Sequence, residues 1–167
     1  MAEDRDDKVP VDAFKAAMRR LAGGVAVVTT KGPERWYGMT ATALMSLSMD
    51  PPSLALAVNS SASIHTPLNL HRAFCINLLD REQEYVGAAF STLPSEERFT
   101  VGDWQPGHLG LPYLVGAQAT IFCTAEAMHT YGTHTIFIGK VMETVVADHV
   151  RPLVYLDGGF LTAPSAA

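Results

Sequence analysis

A chain of 167 residues with a net charge of −5 has the length of one domain, and its scattered basic residues do not favour nucleic acid or anionic lipid as a main partner. No apolar run is long enough to cross a bilayer, and the charged start at residues 1–8 is not typical of a signal peptide, so we expect no membrane partner. Cys75 and Cys123 lie far apart in apolar stretches, which predicts buried free thiols. Because free thiols are typical of reducing compartments, we expect the protein to be cytoplasmic.

The beginning of the chain predicts a solvated arm followed by one helix. We expect residues 1–10 to form a flexible arm and residues 11–162 to form a single domain. Apolar residues at the helical period predict a helix over residues 11–22. Gly23 and Gly24 would stop that helix, because glycine favours the residue after a helix end.

A hairpin is predicted next. The β-branched run at residues 25–30 and the segment at residues 36–45 predict two strands, joined by a turn at residues 31–34. Pro51 and Pro52 would end any strand before them, because proline cannot donate to a strand ladder. Residues 53–58 predict a third strand.

The middle of the chain alternates between short elements. Ser63 is placed to cap a short helix that runs to about Ala73, and residues 74–79 predict another apolar strand. Residues 81–90 predict a helix. Residues 93–114 are rich in Gly, Pro and Trp and are expected to be mostly loop.

The last third carries the clearest strand pattern. Residues 119–127 alternate with a period of two, and a loop at residues 129–132 leads to a long partner strand at residues 133–147. Residues 152–156 predict a final strand. Several antiparallel strands with only short helices between them predict a mainly β barrel, and the helices are too few for alternating α/β layers.

Common catalytic motifs are absent from the sequence. We find no dinucleotide-binding glycine fingerprint, phosphate-binding loop, zinc-protease motif or nucleophile elbow. The histidines are isolated, and His65 and His71 are six residues apart, which places them on different helix faces. We therefore expect no metal site. If the protein is an enzyme, an organic cofactor is expected to supply the chemistry.

The segment at residues 38–52 is dense in small and hydroxyl side chains. Small residues let a flat aromatic ring lie against the backbone, whose amides can then bond the ring's polar edge. Thr40, Thr42, Ser46 and Ser48 add hydroxyl donors at low steric cost. From the residues alone, an edge strand with nothing bound remains the alternative.

The same segment resembles the flavin-binding signature of the short-chain flavin reductases. That family has the FMN-binding split-barrel fold, an antiparallel, Greek-key-like arrangement, and supplies the reductase components of two-component flavin monooxygenases. The resemblance extends from about Phe14 to Phe160. The other matching segments are residues 24–30, 74–79, 98–99, 104, 110–114, 132–141 and 152–155.

The resemblance implies a set of cofactor-binding residues. They are Thr40, Ala41, Thr42, Ala43, Ser46, Leu47, Ser48, Asn59, Ala62, Ser63, Asn77, Arg98, Gly132 and His134. Ser63, as a helix N-cap, would offer free amides to the flavin phosphate, with a plain cap as the alternative. Asn77 would bond the flavin or a neighbouring strand, and Arg98 would pair with a phosphate or lie solvated on the surface.

The resemblance also implies that His134 acts at the nicotinamide, as the catalytic position of the site. The family usually has Gly-Asp-His, whereas this chain has Gly132, Thr133 and His134, so a carboxylate is missing. A strand histidine bonded to its neighbour is the alternative. Thr42 stands where Asn is common in the family, and Ala43 stands where Ser is common.

The function implied by the resemblance is that of a bacterial NAD(P)H:flavin oxidoreductase. Such an enzyme takes hydride from NADH or NADPH, reduces FMN or FAD, and supplies a separate oxygenase. The family is typically homodimeric, with each flavin near the subunit interface. The alternatives are a flavin-dependent reductase of a corrin or metal complex, and a flavin- or haem-binding protein without turnover. A pyridoxamine-phosphate-type oxidase shares the barrel, but its phosphate-binding basic residues are not seen here.

Overall fold

A computed structural model describes residues 9–162, with the side chain of residue 162 left out. Most of the expected N-terminal arm, residues 1–8, lies outside the described residues. The described chain begins with helix α1, Val11–Met18. This helix ends four residues before the predicted end, because Gly23 and Gly24 pair with the C-terminal part of the chain and the residues between must turn toward them.

The elements of the described chain follow the predicted order. The helices after α1 are α2 His65–His71 and α3 Glu84–Thr92, with single 3-10 turns at Arg81–Gln83, Arg98–Thr100 and His108–Gly110. The strands are β1 Gly23–Gly24, β2 Ala26–Lys31, β3 Trp36–Ala41, β4 Leu44–Met49, β5 Pro52–Asn59, β6 Ala73–Leu78, β7 Trp104–Pro106, β8 Pro112–Leu114, β9 Ala119–Tyr131, β10 His134–Val146, β11 Leu153–Leu156 and β12 Gly159–Thr162. Within residues 9–162, no helix is both long and apolar enough to span a membrane.

The main sheet is antiparallel and rolls into an open barrel. Its strand order is β3-β2-β6-β9-β10-β5-β4, so the two edge strands β3 and β4 are consecutive in the chain. Only Thr42 and Ala43 separate these edges, and the Ala57 amide donates to the Ala43 carbonyl at 3.1 Å. A second sheet, β1-β11-β12, joins the barrel through the Val25 amide, which donates to the Leu153 carbonyl at 2.9 Å. The predicted split barrel is confirmed.

Two apolar clusters lie on opposite faces of β2, which explains its unbroken β-branched run. Val28 faces the barrel interior with Phe74 and Phe137. Val27 faces the layer formed by α3 and β11, where it packs in the cluster that contains Phe90. Because both faces of the strand are covered, no position on it is required to be polar.

Further secondary-structure predictions are corrected. Strand β9 continues to Tyr131 through the loop predicted at residues 129–132, and the segment expected to be mostly loop contains the short strands β7 and β8. The strand predicted at residues 36–45 is interrupted at Thr42 and Ala43, where the chain passes from one barrel edge to the other. Ser63 is not an N-cap: α2 begins at His65 with Ile64 as its N-cap and no side-chain cap, because the Ile64 side chain is buried in the barrel core. Strand β12 was not predicted, since its Gly-rich start gives no strand pattern.

Candidate functional site

The junction between β3 and β4 presents two unpaired backbone donors. Thr42 and Ala43 belong to neither strand, and both are exposed. Their carbonyls accept hydrogen bonds from Leu44 and Ala57, at 3.0 and 3.1 Å. Within residues 9–162, the amides of Thr42 and Ala43 donate no hydrogen bond to a backbone or side-chain acceptor outside the ladders. The barrel opening therefore offers two adjacent N–H groups to a ligand.

Two grooves flank this junction. The larger, of about 700 Å³, lies between the end of α1, the Gly23 and Gly24 backbone, and Tyr155. The smaller, of about 420 Å³, is lined by Thr40, Ser91 and Phe160 among others. The two grooves share three lining residues, which are Thr42, Tyr155 and Gly158.

The floor of the larger groove suits a flat ring. A Cβ on Gly23 would stand 3.4 Å from Cβ of Thr42, whereas a Cβ on Gly24 would meet nothing within 4 Å. Side chains at these positions would take up space that glycine leaves open. Volumes of several hundred Å³ with apolar walls and a few polar groups are typical of cofactor sites. The isoalloxazine ring of a flavin, whose edge carries carbonyl oxygens and ring nitrogens, fits the amides of Thr42 and Ala43.

Thr40 and Ala41 contact other parts of the fold and leave no side-chain polar group free for a ligand. The Thr40 hydroxyl donates to the Gly87 carbonyl of α3 at 2.7 Å. Ala41 is buried, and it pairs with Ala26 across β2. These contacts fix the end of β3 against α3 and so fix the position from which the junction starts.

Ser46, Leu47 and Ser48 lie farther along the free edge of the barrel. Ser46 is three residues beyond Ala43, which at about 3.3 Å per residue places it roughly 10 Å away. Leu47 is 48% exposed at a bulge, and the Ser48 hydroxyl donates to the Asp50 carbonyl at 3.0 Å. The structure keeps Ser46 and Leu47 accessible but uses the Ser48 hydroxyl within a turn.

The end of β5 and the start of β10 bring Asn59 and His134 side by side. The two residues are cross-strand partners, and the Ser60 amide donates to the Thr133 carbonyl at 2.9 Å. Asn59 Oδ1 accepts from the Ser61 amide and from the Ser61 hydroxyl, both at 2.9 Å, which shapes the turn before Ala62.

His134 is exposed and its ring is oriented by its neighbour. Nδ1 hydrogen-bonds with Thr133 Oγ1 at 3.0 Å. Gly132 has φ +56° and a Cβ there would meet nothing within 4 Å. Since Ala57 lies beside Ala43, Asn59 lies at the same end of the barrel as Thr42. His134 follows one strand farther and two residues along the strands, roughly 12 Å from the junction at a strand spacing of about 4.8 Å and a rise of about 3.3 Å per residue.

Two predicted residues serve the fold instead of the site. Asn77 is fully buried: its Nδ2 donates to the Val27 carbonyl at 3.0 Å and its Oδ1 accepts from the Leu114 amide at 2.8 Å. It bonds neighbouring backbone, as the alternative interpretation held, and cannot contact a flavin.

Arg98 likewise joins backbone segments. Its Nε donates to the Leu93 carbonyl at 3.0 Å and its Nη1 donates to the Gly38 carbonyl at 2.7 Å. Burial lowers the pKa of the Arg98 guanidinium from its ordinary value, and the Glu96 carboxylate partly opposes this. Arg98 therefore supports β3 through its Nε and Nη1 groups.

Sequence reasoning missed Tyr155 and the turn after it as part of the site. Tyr155 lies edge-to-face against Phe160, with ring centroids 5.6 Å apart, and it stands beside the junction because β11 pairs with β1. No local pattern in the sequence brings residue 155 next to residue 42, so only the pairing of the small sheet reveals this wall.

Comparisons with known proteins point to one family. The family model described as "Flavin reductase like domain" matches residues 18–164. The chain is 40% identical over 156 residues to the reductase component of the FADH(2)-dependent resorcinol hydroxylase of a Rhizobium species, covering 92% of this chain and 87% of that protein. It is 33% identical over 169 residues to an FMN reductase (NADH) of Methylorubrum extorquens, covering 99% and 84%. The solved structure of the NADH:FAD oxidoreductase SgcE6 of Streptomyces globisporus, in complex with NAD and FAD fragments, superposes with a TM-score of 0.86 at 28% identity, covering 94% of this chain and 95% of that one.

Proposed function

This chain belongs to the flavin reductase family, and on that premise we propose that it oxidises NADH or NADPH, reduces FMN or FAD by hydride transfer, and releases the reduced flavin to a separate monooxygenase. The observation that carries the proposal is the pair of unpaired amides at Thr42 and Ala43, which lie between two open grooves. A bound flavin supplies the hydride-accepting ring. The chain itself binds, orients and shields that ring.

Each residue at the barrel opening has a distinct task in this proposal. The amides of Thr42 and Ala43 bond the polar edge of the ring, and the turn after Asn59 lies at the same end of the barrel. His134, held by Thr133, positions the nicotinamide against the ring. Hydride transfer requires placement at short range and exclusion of water, and it requires no acid or base from the protein.

A homodimer is part of the proposal because α1 has no buried residue. Val11, Phe14, Met18 and Leu21 expose between 48% and 67% of their surface on and just after this eight-residue helix. A helix this short is marginal in water unless another surface covers its apolar face. A second copy of this chain would supply that cover, and light scattering coupled to gel filtration should give a mass twice that of the 18.0 kDa chain. We further propose a cytoplasmic location, where NADH is available.

The decisive experiment follows NADH oxidation at 340 nm with purified protein, with and without FMN in large excess. Fast oxidation that depends on free FMN supports the proposal. NADH that stays untouched while the protein retains flavin would refute the enzymatic function. Parallel assays with FAD and with NADPH determine which flavin and which nicotinamide nucleotide the protein prefers.

A further inference from the structure

The larger groove carries two basic side chains that no other described part of the molecule engages. Lys15 and Arg19 lie one turn apart, on α1 and at its C-terminal end, and line the groove together with Thr42 and Ala43. Within residues 9–162, neither side chain has a hydrogen-bond or ion-pair partner. Arg20, next in the chain, differs: its guanidinium bonds the Ala16 carbonyl, and it does not line this groove.

Several other basic residues of the described chain are committed to partners. Arg151 pairs with Asp80 and Glu82, and Lys140 pairs with Glu126. Lys15 and Arg19, by contrast, have no carboxylate within 4.0 Å among the described residues, in a protein whose net charge is −5. The groove therefore favours an anion locally although the whole chain repels one.

One carboxylate lies in the same groove. Asp157 is in the turn after β11, where its amide donates to the Arg19 carbonyl at 3.0 Å, yet its carboxylate forms no ion pair within 4.0 Å with a described residue. The two cations outnumber it, so the groove keeps a net positive charge.

The remaining walls are apolar. Met18, Leu44, Leu78 and Tyr155 also line the groove. A groove with apolar walls beside paired cations suits a ligand that combines a planar ring with a polyanion. The neighbouring amides of Thr42 and Ala43 offer such a ring two hydrogen-bond donors.

We propose that Lys15 and Arg19 hold the diphosphate of a dinucleotide that is bound across Thr42 and Ala43. This inference rests on the proposed function and adds to it a subsite at the end of α1. Two reactants of the proposed reaction carry that chemistry, FAD and NADH. Lysine offers a compact ammonium on a flexible stem, and arginine offers a forked guanidinium. Together they match the two phosphates of a diphosphate better than they match a ligand with a single carboxylate.

The test compares the wild type with the double variant Lys15→Gln, Arg19→Gln. Flavin binding is measured by fluorescence quenching for FAD, FMN and riboflavin, and KM is measured for NADH. Loss of two charge-assisted contacts should raise the dissociation constant of FAD, or the KM of NADH, about tenfold. The dissociation constant of riboflavin, which has no phosphate, should change by less than about twofold. Raised salt should weaken the affected ligand in the wild type more than in the variant.

Two single variants sharpen the test. Arg20→Gln removes an equal charge from the same end of α1 outside the groove, and it should leave each constant within about twofold. Asp157→Asn removes the opposing carboxylate and should tighten the same ligand about two- to threefold, since asparagine tolerates the residue's φ of +50°. This second variant keeps the test valid even if the double variant folds poorly.

The outcomes are separable. A loss confined to FAD assigns the subsite to the flavin, and a loss confined to the KM of NADH assigns it to the nicotinamide dinucleotide. Unchanged constants for both, equal loss for riboflavin, or an effect of Arg20→Gln as large as that of the double variant would overturn the inference. Failure of the proposed function gives a different pattern, in which wild-type protein oxidises no NADH with any flavin.

Discussion

Asp80 offers a test of how the fold holds the wall of the site. Its side chain is only 5% exposed and joins the start of α3 to the loop before β11. Oδ1 accepts from the Glu82 amide at 2.9 Å, and Oδ2 lies 3.0 Å from His149 Nε2 and 3.2 Å from Arg151 Nε. Burial raises the pKa of Asp80, but the Glu82 amide, the His149 ring and the Arg151 guanidinium together outweigh it, so the pKa lies below its ordinary value.

Asp80→Asn keeps the shape and the bond from Glu82 but turns an amide group toward Arg151 and His149. The His149 contact is a hydrogen bond to a charged group, a type that contributes about 1.5–3 kcal/mol, whereas the Arg151 contact is an ion pair without hydrogen-bond geometry. The side chains of Arg151 and His149 are 35% and 47% exposed, so solvent screening reduces the sum. We expect the variant to lose about 2 kcal/mol of unfolding free energy at pH 7, or roughly 4–8 °C in Tm for a domain of this size.

The pH dependence of this loss follows from the direction of the pKa shift. Because the folded pKa of Asp80 is depressed, its contribution is fully present above the unfolded pKa of about 3.9 and is lost as the pH falls through the folded value. Urea unfolding of wild type and variant should therefore show a constant gap from pH 7 to about pH 5, which narrows only below about pH 4.

The matched control is Asp103→Asn. Asp103 is exposed, and within the described residues its carboxylate has no hydrogen-bond or ion-pair partner, so its replacement should change the unfolding free energy by less than about 0.5 kcal/mol. A gap between wild type and Asp80→Asn that stays unchanged down to pH 3, or a loss no larger than that of the control, would show that the charge of Asp80 does not hold these elements together.

Three further predictions concern the site and the core. His134→Ala should raise the KM for NADH while the flavin dissociation constant stays within about twofold, and unchanged NADH kinetics would remove His134 from the site. Gly38→Ala should cost about 1–3 kcal/mol, because its Cβ would stand 2.6 Å from Cε1 of buried Phe90, whereas Gly159→Ala, with nothing within 4 Å, should be close to neutral in thermal unfolding. Burial raises the pKa of the Cys75 thiol, so a disulfide reagent at pH 8 should label it only after unfolding, and rapid labelling of the native protein would contradict its burial.

The strand pattern alone could predict most of the barrel. The unbroken apolar run of β2 and the alternation in β9 come from burial, which acts residue by residue and leaves a readable period. The interruption at Thr42 and Ala43 could not be predicted, because no Gly or Pro marks it. It arises from closure of the sheet, which depends on the pairing of β5 with both β4 and β10.

The candidate site likewise contains residues that the sequence could indicate and residues whose contacts it could not predict. The resemblance identified the junction and the Asn59 and His134 positions, and the structure brings these to one end of the barrel. Asn77 and Arg98 bond backbone groups in the structure, and a polar residue beside a site looks the same in sequence whether it faces a ligand or a backbone carbonyl. Only their burial and their partners distinguish the two cases.

Closure of the barrel itself explains why the donors at the junction are free. A sheet whose two edges are adjacent in the chain must pass from one edge to the other within very few residues, and those residues cannot join either ladder completely. Their amides must then find water or a ligand, since an unpaired backbone donor is costly to bury. The small side chains of Thr42 and Ala43, and the glycines beneath them, keep this point open to a flat ring. A bulky residue at position 43 would fill the groove without disturbing any strand pairing. Ala43→Leu should therefore fold with wild-type stability and yet bind flavin weakly, whereas a variant that unfolds would show that the junction serves the core rather than a ligand.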